Sequence, residues 1–368
     1  MSQLAKAVIA AALAFGLALL LCAGALFVIS GGQPVDFAQT EIIRWQLASR
    51  QDDLNRPAGA DTAPVRFTIA PGESPRVIGQ RLLDYGLVAD AGLFVDYARV
   101  SGLDVELEAG TYFLNQTQTI PQIAAALTDS RSSVIPFRIL EGWRLEEIAA
   151  AVDANGLFGF SGADFLAAAG PGAAVDPAFA AFVSLPPGAS LEGFLFPDTY
   201  QLPPEITPAG LRDTLTATFA ARVDAQLAAD AAAQGLSLFE IVTLASIVQR
   251  ESVHAEENPL IASVYRNRLD LGMKLDADPT VQYGIGYKDG AWWPQITQDD
   301  YTSAVHAYNT YLQAGLPPGP IANPGLSAIR AAVFPAVSDY LYFRAACDQS
   351  GFHNFARTFA EHVANGCP

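Results

Sequence analysis

The chain repeats itself. Slid against its own sequence by 70 positions, Phe67, Ile69, Gly72, Ile78, Gly86, Leu87 and Gly92 fall onto Phe137, Ile139, Gly142, Ile148, Gly156, Leu157 and Gly162 without a gap. Any fold adopted here must therefore contain two related units. In each, apolar alternation (Phe67, Ile69; Phe137, Ile139) predicts a short strand, the next glycine a turn, and Ile78 with Leu82, or Ile148 with Val152, one face of a helix. Gly86 and Gly156 stand where a helix end takes a left-handed residue, and the leucine that follows can fold back on the last turn. The first unit runs on into a strand, GTYFL (Gly110 to Leu114), and a helix, TIPQIAAAL (Thr119 to Leu127), with proline in its first turn. Residues 65–132 thus read as one small α/β module. The second strand-turn-helix unit, residues 133–165, opens a larger mixed α+β domain reaching residue 368.

Within that domain one helix places a carboxylate unusually. Ser237 and Glu240 have capping-box spacing, so a helix starts at Ser237, and Ile241, Leu244, Ala245 and Val248 define its buried stripe. Glu251 lies three residues past Val248 and seven past Leu244, on the same face, while Gln249 and Arg250 point away from it. A carboxyl group at the end of an apolar stripe is desolvated, which disfavours its charged form and suits it to donate a proton near neutral pH. The bland alternative is a solvated Glu251, or one ion-paired with Arg266 or Arg268. Ahead of this helix, SLEGFLFPDTY (Ser190 to Tyr200) predicts an aromatic, acidic loop or strand, and about Ala209 to Ala233 a long alanine-rich helix. After it, a helix capped by Asn258 with Pro259 first stops at Gly272. Trp292, Trp293, Tyr283, Tyr308 and Tyr311 then sit among Pro/Gly-rich loops. Such rings stack on sugars or simply pack a core.

From Ala7 to Ser30 there is no charge, and 1.5 Å per residue gives about 36 Å, enough to cross a bilayer. Residues 1–30 are expected to be a short tail and a transmembrane helix, with a cleaved signal peptide or a lipoprotein signal at Cys22 as alternatives. Residues 31–64 read as a polar, Pro/Gly-rich linker. A six-residue tail before the helix and a large acidic body behind it favour an exported body, where Cys347 and Cys367 can pair or remain free thiols. The net charge of −17 disfavours nucleic acid as a partner. The four histidines make no H-x-x-x-H pair, Glu251 to His254 is a lone E-x-x-H, and no P-loop, G-x-S-x-G or dinucleotide fingerprint is present, so no metal or cofactor is expected.

Two resemblances add to this reading. FTIAPGES (Phe67 to Ser74) resembles the opening of LysM domains, which implies a module that binds N-acetylglucosamine-containing glycans. LASIVQRES (Leu244 to Ser252), SVYRNRLDLGMKLDADPTVQYGIG (Ser263 to Gly286), AYNTYLQAGLPPGPIANPG (Ala307 to Gly325), YLYF (Tyr340 to Phe343) and EGFLFPDTY (Glu192 to Tyr200) together resemble the endolytic murein transglycosylase (YceG-like) family. That resemblance implies an inner-membrane-anchored enzyme acting outside the cytoplasm. It would cut MurNAc-GlcNAc bonds of new peptidoglycan strands to 1,6-anhydro ends, beside peptidoglycan synthases. It makes Glu251 the catalytic acid and places Arg268, Asp278, Tyr283, Tyr308 and Asn309 at motif positions, as groove candidates. Relatives with a further glutamate two residues earlier differ from this chain, which has Gln249. Competing expectations are a non-catalytic peptidoglycan-binding protein and a muramidase using a second carboxylate such as Glu192 or Asp198.

Overall fold

The computed structural model describes residues 15, 16, 21–25, 28 and 34–367. The expected membrane segment falls largely outside the described residues, and among those described no single helix is long and apolar enough to cross a bilayer. The chain divides after Val134 into two compact units.

The first unit opens with α1 (Pro34–Ser49) and α2 (Gln51–Leu54), where a linker was expected. The polar run conceals a helical face: Leu47 and Leu54, seven residues apart, are buried in the unit's core, and Ile43 packs against it. Strand β1 (Val65–Ile69), helices α3 (Pro75–Asp84) and α4 (Ala91–Val100), strand β2 (Gly110–Leu114) and helix α5 (Ile120–Ala126) follow. The two strands pair antiparallel with Phe67 opposite Tyr112. Thr119 and Gln122 close the capping box that starts α5.

The second unit begins with β3 (Ile135–Arg138), α6 (Leu145–Asn155), α7 (Gly162–Ala169), α8 (Pro177–Val183) and β4 (Thr199–Leu202). Strand β3 pairs antiparallel with β4, Phe137 facing Tyr200. The duplication therefore extends beyond the strand-turn-helix motif to a closing strand. In both copies that strand carries Thr-Tyr-x-Leu, and its tyrosine hydroxyl donates to the carbonyl four residues back, Tyr112 to Glu108 and Tyr200 to Phe196. The paired turn glycines Gly72 and Gly142 share the same left-handed backbone, φ 81° and 80°.

The alanine-rich stretch is two helices, α9 (Pro208–Arg222) and α10 (Ala225–Ala233), rather than the single one expected. Val223 leaves helical geometry and Asp224 caps the second helix by accepting from Leu227 N–H, a local option that outcompetes continuation. Helix α11 (Leu238–Glu251) starts at the Ser237/Glu240 capping box as anticipated. It is buried on every side from Ile241 to Val248, a central core helix rather than one with a single buried stripe.

Helix α12 (Asn258–Asp270) begins one residue earlier than expected, with Glu257 at the cap, because a 3-10 turn over Ala255–Glu257 leads directly into it. The Asn258 side chain instead bonds Ser252 and Ser327. Then come α13 (Asp278–Ile285), α14 (Asp300–Ser303), α15 (Leu326–Val333), the antiparallel hairpin β5 (Tyr342–Ala345) and β6 (His353–Ala356), and α16 (Phe359–Ala364). Cys347 and Cys367 form a disulfide across this end, with their Cα atoms 5.3 Å apart.

Candidate active site

Helix α11 delivers Glu251, its last residue, to the wall of a cavity of about 550 Å³. Packing of α12 against α11 sets Tyr265, itself buried, beside it, and the Tyr265 hydroxyl donates to Glu251 Oε1 at 2.6 Å. The Glu251 pKa is raised to about 7, chiefly by burial, as the balance of opposing influences. The Tyr265 hydrogen bond and Arg250 pull it down, while the negative charge of Asp278 pushes it further up. Burial next to Glu251 also lifts the Tyr265 phenol well above its ordinary value, so it remains a donor. Glu251 makes no ion pair with Arg266 or Arg268: Arg266 is bound to Asp270, and Arg268 to Asp276.

The rest of the cavity comes from later in the chain. Helix α13 starts at Asp278, whose Oδ1 accepts from the Tyr311 hydroxyl at 2.6 Å and whose Oδ2 accepts from Tyr301 at 3.4 Å. The two phenol rings stack 4.2 Å apart. The β5–β6 hairpin and α16 supply the far wall, including Tyr342, Phe343, His353 and His362. Among the described residues no cluster of His, Cys, Asp and Glu could hold a metal ion.

The five groove candidates separate. Arg268 and Asp278 line the cavity with Glu251. Arg268 binds protein through two of its nitrogens: Nε donates to Leu341 O, and Nη1 to Lys274 O, Leu275 O and Asp276. It therefore fastens the loop before α13 to the start of β5 and shapes the wall. Asn309 is fully buried and is not among the lining residues, donating to Tyr301 O and Ala304 O and accepting from Tyr311 N–H. That one amide folds the segment aiming both tyrosines at Asp278.

Tyr283 and Tyr308 are not among the cavity's lining residues. Their rings pack 4.7 Å apart, and the Arg144 guanidinium lies 4.2 Å over Tyr283 and 5.0 Å over Trp292. The same guanidinium lies 5.7 Å over Trp293, so the aromatic AWWPQ segment packs around a cation. Gln249 and Arg250 are likewise engaged: Gln249 accepts from Gly325 N–H, and Arg250 lies 3.9 Å over Trp293. Neither carboxylate expected as a muramidase partner lies in the cavity. Glu192 is buried at the start of α6, accepting from Leu145 N–H and Asn323 Nδ2, and Asp198 is paired with Arg222.

The family model described as YceG-like family matches residues 67–366. The chain belongs to the YceG-like family. It is 29% identical over 312 residues to the endolytic murein transglycosylase of Bacillus subtilis (strain 168), covering 81% of this chain and 82% of that protein. It is also 29% identical over 325 residues to the endolytic murein transglycosylase of Streptococcus pneumoniae serotype 2, covering 81% of this chain but 58% of the relative, so it spans little more than half that protein's length. The crystal structure of a putative yceG-like protein from Listeria monocytogenes, lmo1499, superimposes with a TM-score of 0.54 at 28% identity, covering 83% of this chain and 99% of that one.

For this YceG-like chain, the sequence pointed to Glu251 but missed its hydrogen-bond donor. Tyr265 lies 14 positions on, in the next helix, and only the packing of the two helices joins them. Tyr311 stood out only as a ring that could stack on a sugar or pack a core, and Tyr301 not at all, since their meeting with Asp278 depends on the Asn309 turn.

Proposed function

We propose that this YceG-like protein is a lytic transglycosylase that cuts MurNAc-GlcNAc β-1,4 bonds within peptidoglycan strands, with Glu251 as its one acid and base. The observation that supports this most is a protonatable carboxyl group, desolvated in a sugar-sized cavity and oriented by a phenol that stays protonated. A carboxyl with a pKa near the working pH can both give and take a proton at low cost.

In the proposed reaction Glu251 protonates the bridging oxygen, the bond from MurNAc C1 to that oxygen breaks, and the GlcNAc end leaves as an alcohol. Glu251, now a carboxylate, takes the proton from the C6 hydroxyl of the same MurNAc, and O6 closes on C1. Atoms and charge balance with no water consumed. An intramolecular nucleophile of this kind has a high effective molarity, so a water-holding base is unnecessary. Tyr265 holds the carboxyl group in place through both transfers and favours its ionised form in the second.

The finer reading extends to the whole chain. Residues 7–30 anchor the protein in the cytoplasmic membrane, the body works outside it on new strands close to peptidoglycan synthases, and the first unit is a LysM-like glycan-binding module. The strand-helix-helix-strand order of β1, α3, α4 and β2 supports that last assignment.

Mass spectrometry of the products formed from purified peptidoglycan tests the proposal. Strand fragments ending in 1,6-anhydroMurNAc are expected. Reducing MurNAc ends would replace it with a muramidase, and intact strands with a non-catalytic binder.

A further inference from the structure

The transglycosylase scheme gives Asp278 no task, although it lines the cavity. Asp278 lines the same cavity as Glu251 and lies near enough for its charge to oppose ionisation of that glutamate. The two carboxyl groups are held differently. Glu251 has one phenol donor. Asp278 has two, Tyr311 on Oδ1 and Tyr301 on Oδ2, and it sits in the first turn of α13, where the helix dipole favours negative charge. The phenols are themselves fixed, stacked on each other and set by the buried Asn309. Much of the loop is thus organised around presenting one carboxylate to the cavity. Asp276, the other nearby acid, already serves Arg268.

We infer that Asp278 is a second catalytic residue of this site: a fixed carboxylate, clamped by Tyr311 and Tyr301, that stabilises the positive charge developing at MurNAc C1 between departure of the GlcNAc oxygen and closure by O6. The inference rests on the transglycosylase reading and adds to it. Protonation of the bridging oxygen and loss of the C1–O bond leave C1 and the ring oxygen sharing a positive charge, which O6 discharges when its proton returns to Glu251. Asp278 forms no bond and moves no proton. A preorganised charge at a site where charge appears only in the transition state lowers the barrier without tightening substrate binding. With its oxygens engaged by phenols, Asp278 is arranged as a fixed charge rather than as a base for water.

The test compares wild type, Asp278→Asn, Tyr311→Phe and Glu251→Gln on purified glycan strands, with kcat, KM, products and thermal melts. Asp278→Asn is expected to lower kcat about 100-fold, the scale of losing one preorganised electrostatic partner, with KM within about threefold. It also removes the neighbouring charge opposing ionisation of Glu251, so the alkaline limb of its pH profile moves to lower pH. A MurNAc-configured imino sugar, cationic at its ring nitrogen, is expected to bind Asp278→Asn at least about tenfold more weakly than wild type, while its neutral lactam binds both alike. A merely structural role would weaken both ligands together. If Asp278→Asn does not fold, Tyr311→Phe decides: a kcat loss of about tenfold at unchanged KM supports the inference, and wild-type kcat overturns it. Wild-type kcat in Asp278→Asn, or equal loss of cation and lactam, also overturns it. An active Glu251→Gln variant would instead remove the underlying transglycosylase reading, so the two failures are distinct.

Discussion

The Tyr265 hydroxyl donates a 2.6 Å hydrogen bond to Oε1 of Glu251, joining the end of one core helix to the middle of the next. The bond favours ionised Glu251 while burial opposes it. Tyr265→Phe is therefore expected to raise the Glu251 pKa and move the alkaline limb of activity upward. It should also lower kcat about tenfold through lost orientation, a fraction of the ~10²–10⁴ supplied by a general acid. A pH–rate profile of the variant checks both, and an unmoved limb would separate Tyr265 from the titration.

Glu192 gives a stability prediction independent of catalysis. Burial raises its pKa to about 8, against the Leu145 N–H bond that favours the carboxylate. A carboxyl group whose folded pKa lies above its unfolded value stabilises the fold fully below about 4.5 and loses that contribution as pH rises through about 8. Melting temperature should fall over this window, and Glu192→Gln, neutral and still able to accept both hydrogen bonds, should flatten the fall. Parallel curves for the two proteins would contradict this.

Asn323 is the most heavily used buried amide. Its Oδ1 accepts from Gly193 and Leu195 N–H, and its Nδ2 donates to Trp143 O and Glu192. Asn323→Ala leaves several buried groups unpaired, each costing about 1–3 kcal/mol. A loss of about 3 kcal/mol or more in urea unfolding is expected, with activity falling in step with the folded fraction.

The Cys347–Cys367 disulfide closes a loop of 20 positions that contains the second half of the cavity-lining hairpin. Chain-entropy arguments give about 3 kcal/mol for a crosslink of this span. Reduction should lower both melting temperature and turnover, and Cys347→Ser should reproduce it. Unchanged turnover at temperatures where the reduced protein is still folded would show that the far wall is not needed.

What the sequence reveals follows the range of the forces involved. The 70-residue repeat, the GTYFL strand and the Ser237/Glu240 helix start are local patterns, and each folds as read. Periodicity pointed to Glu251 through a single buried stripe, whereas α11 is buried all round from Ile241 to Val248, so position along the helix, at its last turn, is what brings Glu251 to the cavity. The closing strand of the second repeat escaped notice because inserted α8 shifts Tyr200 out of the constant offset. Residues 31–64 read as a linker because few apolar side chains anchor the helices that lie within them. The alanine-rich segment broke at Val223 and Asp224, where a cap competes with helix continuation. Tyr283 and Tyr308 carried family-motif positions, but Tyr283 packs beneath Arg144 and Tyr308 against Tyr283, and nothing in their spacing announces that cation. The tyrosines that hold Glu251 and Asp278 depend on contacts 14 and 33 positions away, which only the assembled core supplies.

The central claim is that Glu251 is a desolvated acid whose proton starts the reaction. The measurement that bears on it most directly is the pH dependence of single-turnover cleavage of glycan strands by wild type and Glu251→Gln. Because the acid must be protonated, cleavage should fall as pH rises through about 7 in wild type. Glu251→Gln should fold normally yet cleave about 10²–10⁴-fold more slowly, with that limb gone. A folded Glu251→Gln protein that cleaves at the wild-type rate with the same limb would contradict the account.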